Sequence, residues 1–511
     1  MSLTKDNEFE LDLVESNTEI EAKSLTVHLS HTAATIVRLS PDLMNLSCFK
    51  AYTHYIMLHD ISLVITGSRI LTSDSINPFP ATIEINKHGY ISAIINNKSS
   101  FDSYAFLEND KFIDAGDNLV MPGIVDAHVH LNEPGRTDWE GFESGTKAAA
   151  AGGVTTVIDM PLNSIPPTTT VDNLNQKIDA AKGKCWVDVG FYGGNDLVPL
   201  INAGVKGFKG FLINSGVDEF PCVNEQDGHN SIFFMFHAEM ESNDGNDIDK
   251  SLEISNENAD YNRFLQSRPQ SLELNAISLV TRLAKEYSTV RTHIVHLSAA
   301  NAIDMIRKSK SDGIPLTVET CFHYLCLSAE DVPLGRTEFK CCPPVREKIN
   351  QEKLWQALFD GTIDYVVSDH SPCTADLKEL DKKEEERDFL KSWGGISTLQ
   401  FGLPVLWTEA KKRGCSFYNL YTWLSKNTSK QVGLQEKKGD IKVGYDADIV
   451  IWNPEETFMI TKDIIQFKNK VTPYMGRTFY GTVKQTIVRG NIVFDAKNGG
   501  IKSVPYGDLL I

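Results

Sequence analysis

The sequence contains no apolar run near the roughly 18 residues that a helix needs to cross a bilayer, so a membrane anchor is not expected. A basic excess is missing too: 50 lysines and arginines stand against 68 aspartates and glutamates, a net of -18. Nucleic acid and anionic membrane would both be repelled by such a surface, and neither is expected as a partner. The nine cysteines are an odd number and form no CxxC pair, which argues against a structural zinc knuckle or a disulfide framework. A reducing compartment is the simplest expectation. The first twenty residues carry Asp6, Glu8, Glu10, Asp12, Glu15 and Glu19, the reverse of a secretory or mitochondrial leader, and the last four show no retention or peroxisomal signal. These absences predict a cytoplasmic protein.

Length allows one large catalytic domain and a smaller one. Residues 1–57 show no periodicity and read as an extension of unread role. From Ile61 short apolar or alternating runs, such as Ala81-Thr82-Ile83-Glu84-Ile85, are punctuated by His88-Gly89 and Asn96-Asn97, the signals of β-hairpins. A matching set returns at Ala447 to Trp452, Val483 to Val488 and Ile492 to Phe494. Residues 58–118 plus 438–511 are therefore expected to form one small β-sandwich domain, enclosing a middle of 119–437. That middle alternates eight apolar runs, near 124–130, 154–160, 186–191, 207–213, 232–237, 292–297, 315–321 and 364–369, with helical stretches such as 139–151, 173–182, 271–287, 301–310 and 350–359. The pattern predicts an α/β fold, a (β/α)8 TIM barrel.

In such barrels the reacting groups sit at the carboxyl ends of strands. Those ends carry His128 and His130, Lys209, His237, His296 and Asp369. His128 and His130 alternate with apolar residues at strand period and face the same way, so together they can grip a divalent metal such as zinc. Each residue alone has a plainer reading. An HxH at a strand end can be structural, His237 can be a satisfied core histidine, His293 competes with His296, and Asp369 can cap a helix. Lys209 interrupts Gly207-Phe208-Lys209-Gly210-Phe211, where a free ammonium is costly. Either its stem reaches outward to water, or its neutral amine takes up CO2 as a carbamate, an anionic ligand able to bridge two metals.

Taken together, His128-x-His130, Lys209, His237, His296 and Asp369 resemble the binuclear centre of the cyclic amidohydrolases, the group of dihydroorotases, dihydropyrimidinases (hydantoinases) and allantoinases. The resemblance is densest in Glu133-Pro134-Gly135-Arg136-Thr137-Asp138-Trp139, Met160-Pro161-Leu162-Asn163, Lys340-Cys341-Cys342-Pro343-Pro344-Val345-Arg346, Ser368-Asp369-His370-Ser371 and Trp393-Gly394-Gly395-Ile396, and it leaves out residues 1–57. Within the group the chain is most similar to the allantoinases. Asn132 stands where a dihydroorotase is expected to hold its substrate with arginine, and Leu212 to Val217 lacks the tyrosine typical of dihydropyrimidinases. Cys342 replaces a serine that is frequent in allantoinases.

The resemblance implies two Zn2+ per subunit, bridged by carbamylated Lys209 and a hydroxide. His128, His130 and Asp369 would hold one ion, and His237 and His296 the other. It implies hydrolytic opening of a small cyclic ureide, allantoin to allantoate, with Asp369 as proton shuttle, and a homotetramer. Asn163, His323, Cys342 and Gly395 lie in matching motifs and are the expected substrate contacts. A dihydropyrimidinase is the neighbouring reading, and a scaffold that has lost catalysis is the rival from another class.

Overall fold

The computed structural model describes residues 8–9, 27–28, 60–194, 196–220, 233–241 and 257–511. The two-residue strands Glu8–Phe9 and Val27–His28 pair antiparallel. The rest of the expected extension lies outside the described residues, as does the polar run 242–250.

Eight runs that are buried almost throughout form parallel strands. They are β1 (Ile124–Val129), β2 (Val154–Asp159), β3 (Asp188–Phe191), β4 (Phe208–Phe211), β5 (Phe233–His237), β6 (Arg291–Ile294), β7 (Leu316–Cys321) and β8 (Tyr365–Val367). Parallel strands are covered on both faces, which is why they read as near-continuous apolar runs. β1 to β3 belong to one sheet and β4 to β8 to another. The parallel bridges Gly193 with Phe208 and Val129 with His370 join the two, so the ring closes.

Helices pack outside the ring. In Gln270–Glu286, Leu272, Glu273, Ala276, Ile277, Val280, Leu283 and Ala284 share the buried face, the three-and-four spacing of an amphipathic helix. The helix expected from Trp139 begins instead at Phe142. Gly141 has φ 128, outside the helical region, and the Glu133 carboxylate accepts the Phe142 N–H at 2.9 Å, taking over one of the unpaired donors of the first turn.

The second body is a nine-stranded sheet drawn from both flanks. Leu119–Pro122 lies between Ile449–Met459 and Ile61–Ile70, so the late and early segments meet at its centre. Leu63, Ile65, Ile83, Ile449, Ile451 and Ile487 meet in its own apolar core. The chain is thus a (β/α)8 barrel with a β-sandwich domain. Leu509–Leu510, inside the segment expected to join that domain, pairs in parallel with β3 instead, Val189 opposite Leu509 and Gly190 opposite Leu510. Two residues carry too little pattern to be read as a strand.

Asp188, Asp446 and Asp448 form a buried acidic trio behind β3, but Lys438 Nζ reaches them at 2.7, 2.8 and 2.7 Å. The ammonium stands where a cation would otherwise be needed.

Candidate metal centre

At the carboxyl mouth of the barrel the strand ends bring all six expected ligands into one buried cluster. His128 Nε2 and His130 Nε2 lie 3.2 and 3.4 Å from Asp369 Oδ1. His237 Nδ1 lies 2.9 Å from His296 Nε2, and the His128 and His296 ring centres are 5.6 Å apart. His296 rather than His293 faces His237; His293 sits deeper in the barrel against Thr317, Glu319 and Tyr365.

Lys209 is 2 % exposed and has no hydrogen-bond or ion-pair partner among the described residues. Burial pushes its ammonium down to about 8, although Asp369 and Glu319 act the other way. Burial also lowers His130, His237 and His296, favouring the neutral imidazoles that bind metals. For Asp369 burial acts upward, but His128, His130 and His296 outweigh it and hold the carboxyl well below its usual range.

Outer partners decide which ring nitrogen is bare. Glu319 Oε1 lies 2.5 Å from His128 Nδ1, and Glu239 Oε2 lies 2.8 Å from His237 Nε2. Burial opposes their ionisation, yet His128 and His293 hold Glu319, and Arg268 and His237 hold Glu239, each down at about 2. Both are therefore carboxylates that accept a ring N–H, which leaves His128 Nε2 with a lone pair and His237 Nδ1 as the acceptor for His296 Nε2. His128 Nε2 and His296 Nδ1 have no hydrogen-bond partner although buried. Unpartnered ring nitrogens in one buried cluster with an ionised carboxylate suit a divalent cation. Sequence reasoning passed over Glu319 and Glu239; the available signal was a carboxylate inside an otherwise apolar strand, and one two residues past a strand-end histidine.

Of the expected substrate contacts, Asn163 lies with its side-chain amide 3.2 Å from His130 Nδ1, so it steadies that ring. His323 is fully buried, pushed by burial down to about 4, and neither ring nitrogen is partnered; it groups with Cys321 and Asp369. Gly395 packs on Ser371, where a Cβ would fall 2.2 Å from the carbonyl oxygen. Cys342 is half-buried, and a Cβ on Gly394 would lie 2.8 Å from its Sγ, so both glycines keep this loop close to the Asp369 segment. Arg136 is engaged by Glu219 and by Asn163 O at 3.0 Å, and it covers the Trp139 ring at 4.9 Å. Asn132 donates to Pro372 O at 3.3 Å while its Oδ1 is buried and unpartnered.

Asn132, Asn163, His296 and Asp369 have φ of 63, 71, 38 and 42°. A residue with a side chain takes up this left-handed region only where its surroundings over-determine it, and here four such residues surround one cluster.

Residues 119–493 match the amidohydrolase family. The allantoinase of Saccharomyces cerevisiae is 48% identical over 408 residues, 77% of this chain and 86% of that one. The allantoinase of Streptomyces avermitilis is 45% identical, covering 85% and 95%. Among solved structures, the L-hydantoinase (dihydropyrimidinase) of Arthrobacter aurescens superposes with a TM-score of 0.78 at 27% identity, covering 88% of this chain and 99% of that one. The chain belongs to the amidohydrolase family, and within it to the allantoinases.

Proposed function

We propose that the chain hydrolyses the ring amide of allantoin to give allantoate. The observation that carries this reading is the cluster itself: four buried histidines, two of them with an unpartnered ring nitrogen, an ionised Asp369 and a buried Lys209 that has no hydrogen-bond or ion-pair partner among the described residues. Its likeness in sequence to allantoinases, at 45% and 48% identity, exceeds its likeness to the hydantoinase at 27%, which favours allantoin over a dihydropyrimidine ring.

In this proposal His128, His130 and Asp369 would hold one zinc ion, His237 and His296 a second, and Lys209 as a carbamate would supply a further anionic ligand. Once the Lys209 ammonium has lost a proton, its neutral amine would form a new N–C bond to CO2 and release a second proton, which would turn a cation that repels metals into an anion that binds them. Metals bound there supply Lewis acidity toward the ring carbonyl and acidify water toward about pH 7. Glu319, Glu239 and Asn163 hold the rings of His128, His237 and His130 in place, so the cavity needs little reorganisation during turnover. Asp369 is the proton carrier. It accepts a proton from the attacking water as the new C–O bond forms, and delivers it to the ring nitrogen as the C–N bond breaks. Asn132 Oδ1, buried and unpaired, is suited to accept a ring N–H. Cys342 and Gly395 shape the loop that faces the ring.

Assembly as a homotetramer and a place in the cytoplasm belong to the same proposal; the family resemblance and the cysteine usage support them. The test is the initial ring-opening rate on allantoin, hydantoin, dihydrouracil and dihydroorotate, measured side by side on zinc-loaded, bicarbonate-treated protein. Allantoin is expected to be the best substrate. A preference for another ring would leave the barrel and overturn the substrate.

A further inference from the structure

The opposite mouth of the barrel holds a cavity of about 460 Å³, bounded by the starts of β6, β7 and β8 and by the helical turns that precede Gly433. Conservation of structure, not chemistry, is the usual task of that face. Here polar and charged side chains stand among the apolar ones in the lining. Arg291 and Lys430 both border the cavity. Arg291 Nη2 reaches only neutral oxygens, the Gln431 carbonyl and Oε1, each at 3.3 Å, and its guanidinium carbon lies 5.1 Å from the Phe233 ring. Asp364 is the acid in the wall, and Lys310 already occupies it at 2.5 Å. Among the described residues, neither Arg291 nor Lys430 has a carboxylate partner.

On a chain of net charge -18, two uncompensated cations facing one concave space select an anion. Asn427 and Gln431 add amide groups, which complement a ligand with amide- or urea-type groups of its own. The helix Asn427–Gln431 directly follows a π-helical turn, Thr422–Lys426, a distortion that occurs frequently at functional sites.

A hydrogen-bonded chain leads from this cavity through the barrel interior. Gln431 Nε2 donates to Thr317 Oγ1 at 3.1 Å, and Thr317 Oγ1 lies 2.9 Å from His293 Nδ1. His293 Nε2 lies 3.1 Å from Glu319 Oε2, whose other oxygen is 2.5 Å from His128 Nδ1. The two mouths of the barrel are thus connected by four side chains and His128.

We propose that this cavity is a second, non-catalytic binding site for a small carboxylate bearing urea-type groups, and that its occupant acts on His128 through the Gln431–Thr317–His293–Glu319 chain. A ligand that engages Gln431 frees Thr317 Oγ1 to pair differently, and the carboxylate that orients His128 lies two bonds further on. Allantoate, the product of the reaction proposed above, belongs to this chemical class. Naming it as the occupant rests on that reading; the cavity itself does not.

The experiment measures initial rates on the zinc-loaded enzyme with allantoin varied at several fixed allantoate concentrations. Allantoate is expected to lower kcat as well as raise KM. In Arg291→Gln and in Lys430→Gln the effect on kcat should need about tenfold more allantoate, the loss of one charge-assisted hydrogen bond, while rates without allantoate stay near wild type. Purely competitive inhibition, or an unaltered kcat effect in both variants, overturns the proposal. Equilibrium dialysis reads the site without turnover: two classes of allantoate site are expected in wild type, with one lost in Arg291→Gln, and a single class in both overturns it. Absent turnover of allantoin would mark failure of the functional reading. Normal turnover with one class of site would mark failure of this one.

Discussion

A histidine binds metal only through a nitrogen that has given up its proton, so the partner of the other nitrogen sets the ligand's strength. Glu239 does this for His237 and is itself held by Arg268 at 2.6 Å. Glu239→Gln keeps the shape and one acceptor but loses the charge. The expected outcome is a folded enzyme whose second metal is held roughly tenfold or more weakly, read by chelator competition. Lys209→Ala should fold as well, since it removes a buried group that has no hydrogen-bond or ion-pair partner to strand among the described residues. It should contain less than the wild-type complement of metal by elemental analysis and open no allantoin at a measurable rate; full activity with full metal would remove the bridging role.

The loop from Lys340 to Arg346 shows how single elements are tied down. Lys340 Nζ donates to the carbonyls of Leu390 and Ser392 at 3.1 and 2.6 Å, and Lys378 Nζ to those of Lys340, Trp393 and Gly395. Both ammonium groups are satisfied by neutral oxygens alone, and burial lowers them, Lys340 from 10.5 to about 8. A depressed lysine sheds its proton in the folded state first, so between about 8 and 10.5 the unfolded chain binds more protons and this group's contribution to stability rises with pH. In Lys340→Met that rise should be missing, and urea unfolding at several pH values would show a shallower slope than wild type. How much of such elements the sequence discloses depends on their length and setting. The eight barrel runs were legible because strands buried on both faces leave unbroken apolar text, and His128-x-His130 because period two aligns both rings. Lys209 stood out as a charge within such text. The left-handed φ of His296 and Asp369 was not legible, since Asp and His favour that region only statistically and no glycine marks either position. Nor was the role of Glu319, whose partners His128 and His293 come from two other strands.

At the scale of the whole molecule, the last residues complete the barrel wall. Asp508 O accepts from Val189 N at 2.9 Å, and Asp508 N donates to Asp188 Oδ1 at 2.8 Å, beside the Arg489 pair with Asp508. Removing residues 508–511 should cost about 2–3 kcal/mol, the loss of a few partly buried hydrogen bonds, seen as a lower urea midpoint with the m-value kept. The seam where early and late strands meet in the sheet also bears on how this chain is made. Leu119–Pro122 pairs with Ile449–Trp452, which the ribosome delivers more than three hundred codons later. At about 5–20 residues per second, the nascent chain must carry that open flank for on the order of half a minute. A strand edge left bare for that time is a template for pairing with another chain, so this seam is most exposed to mispairing while the chain is still being made.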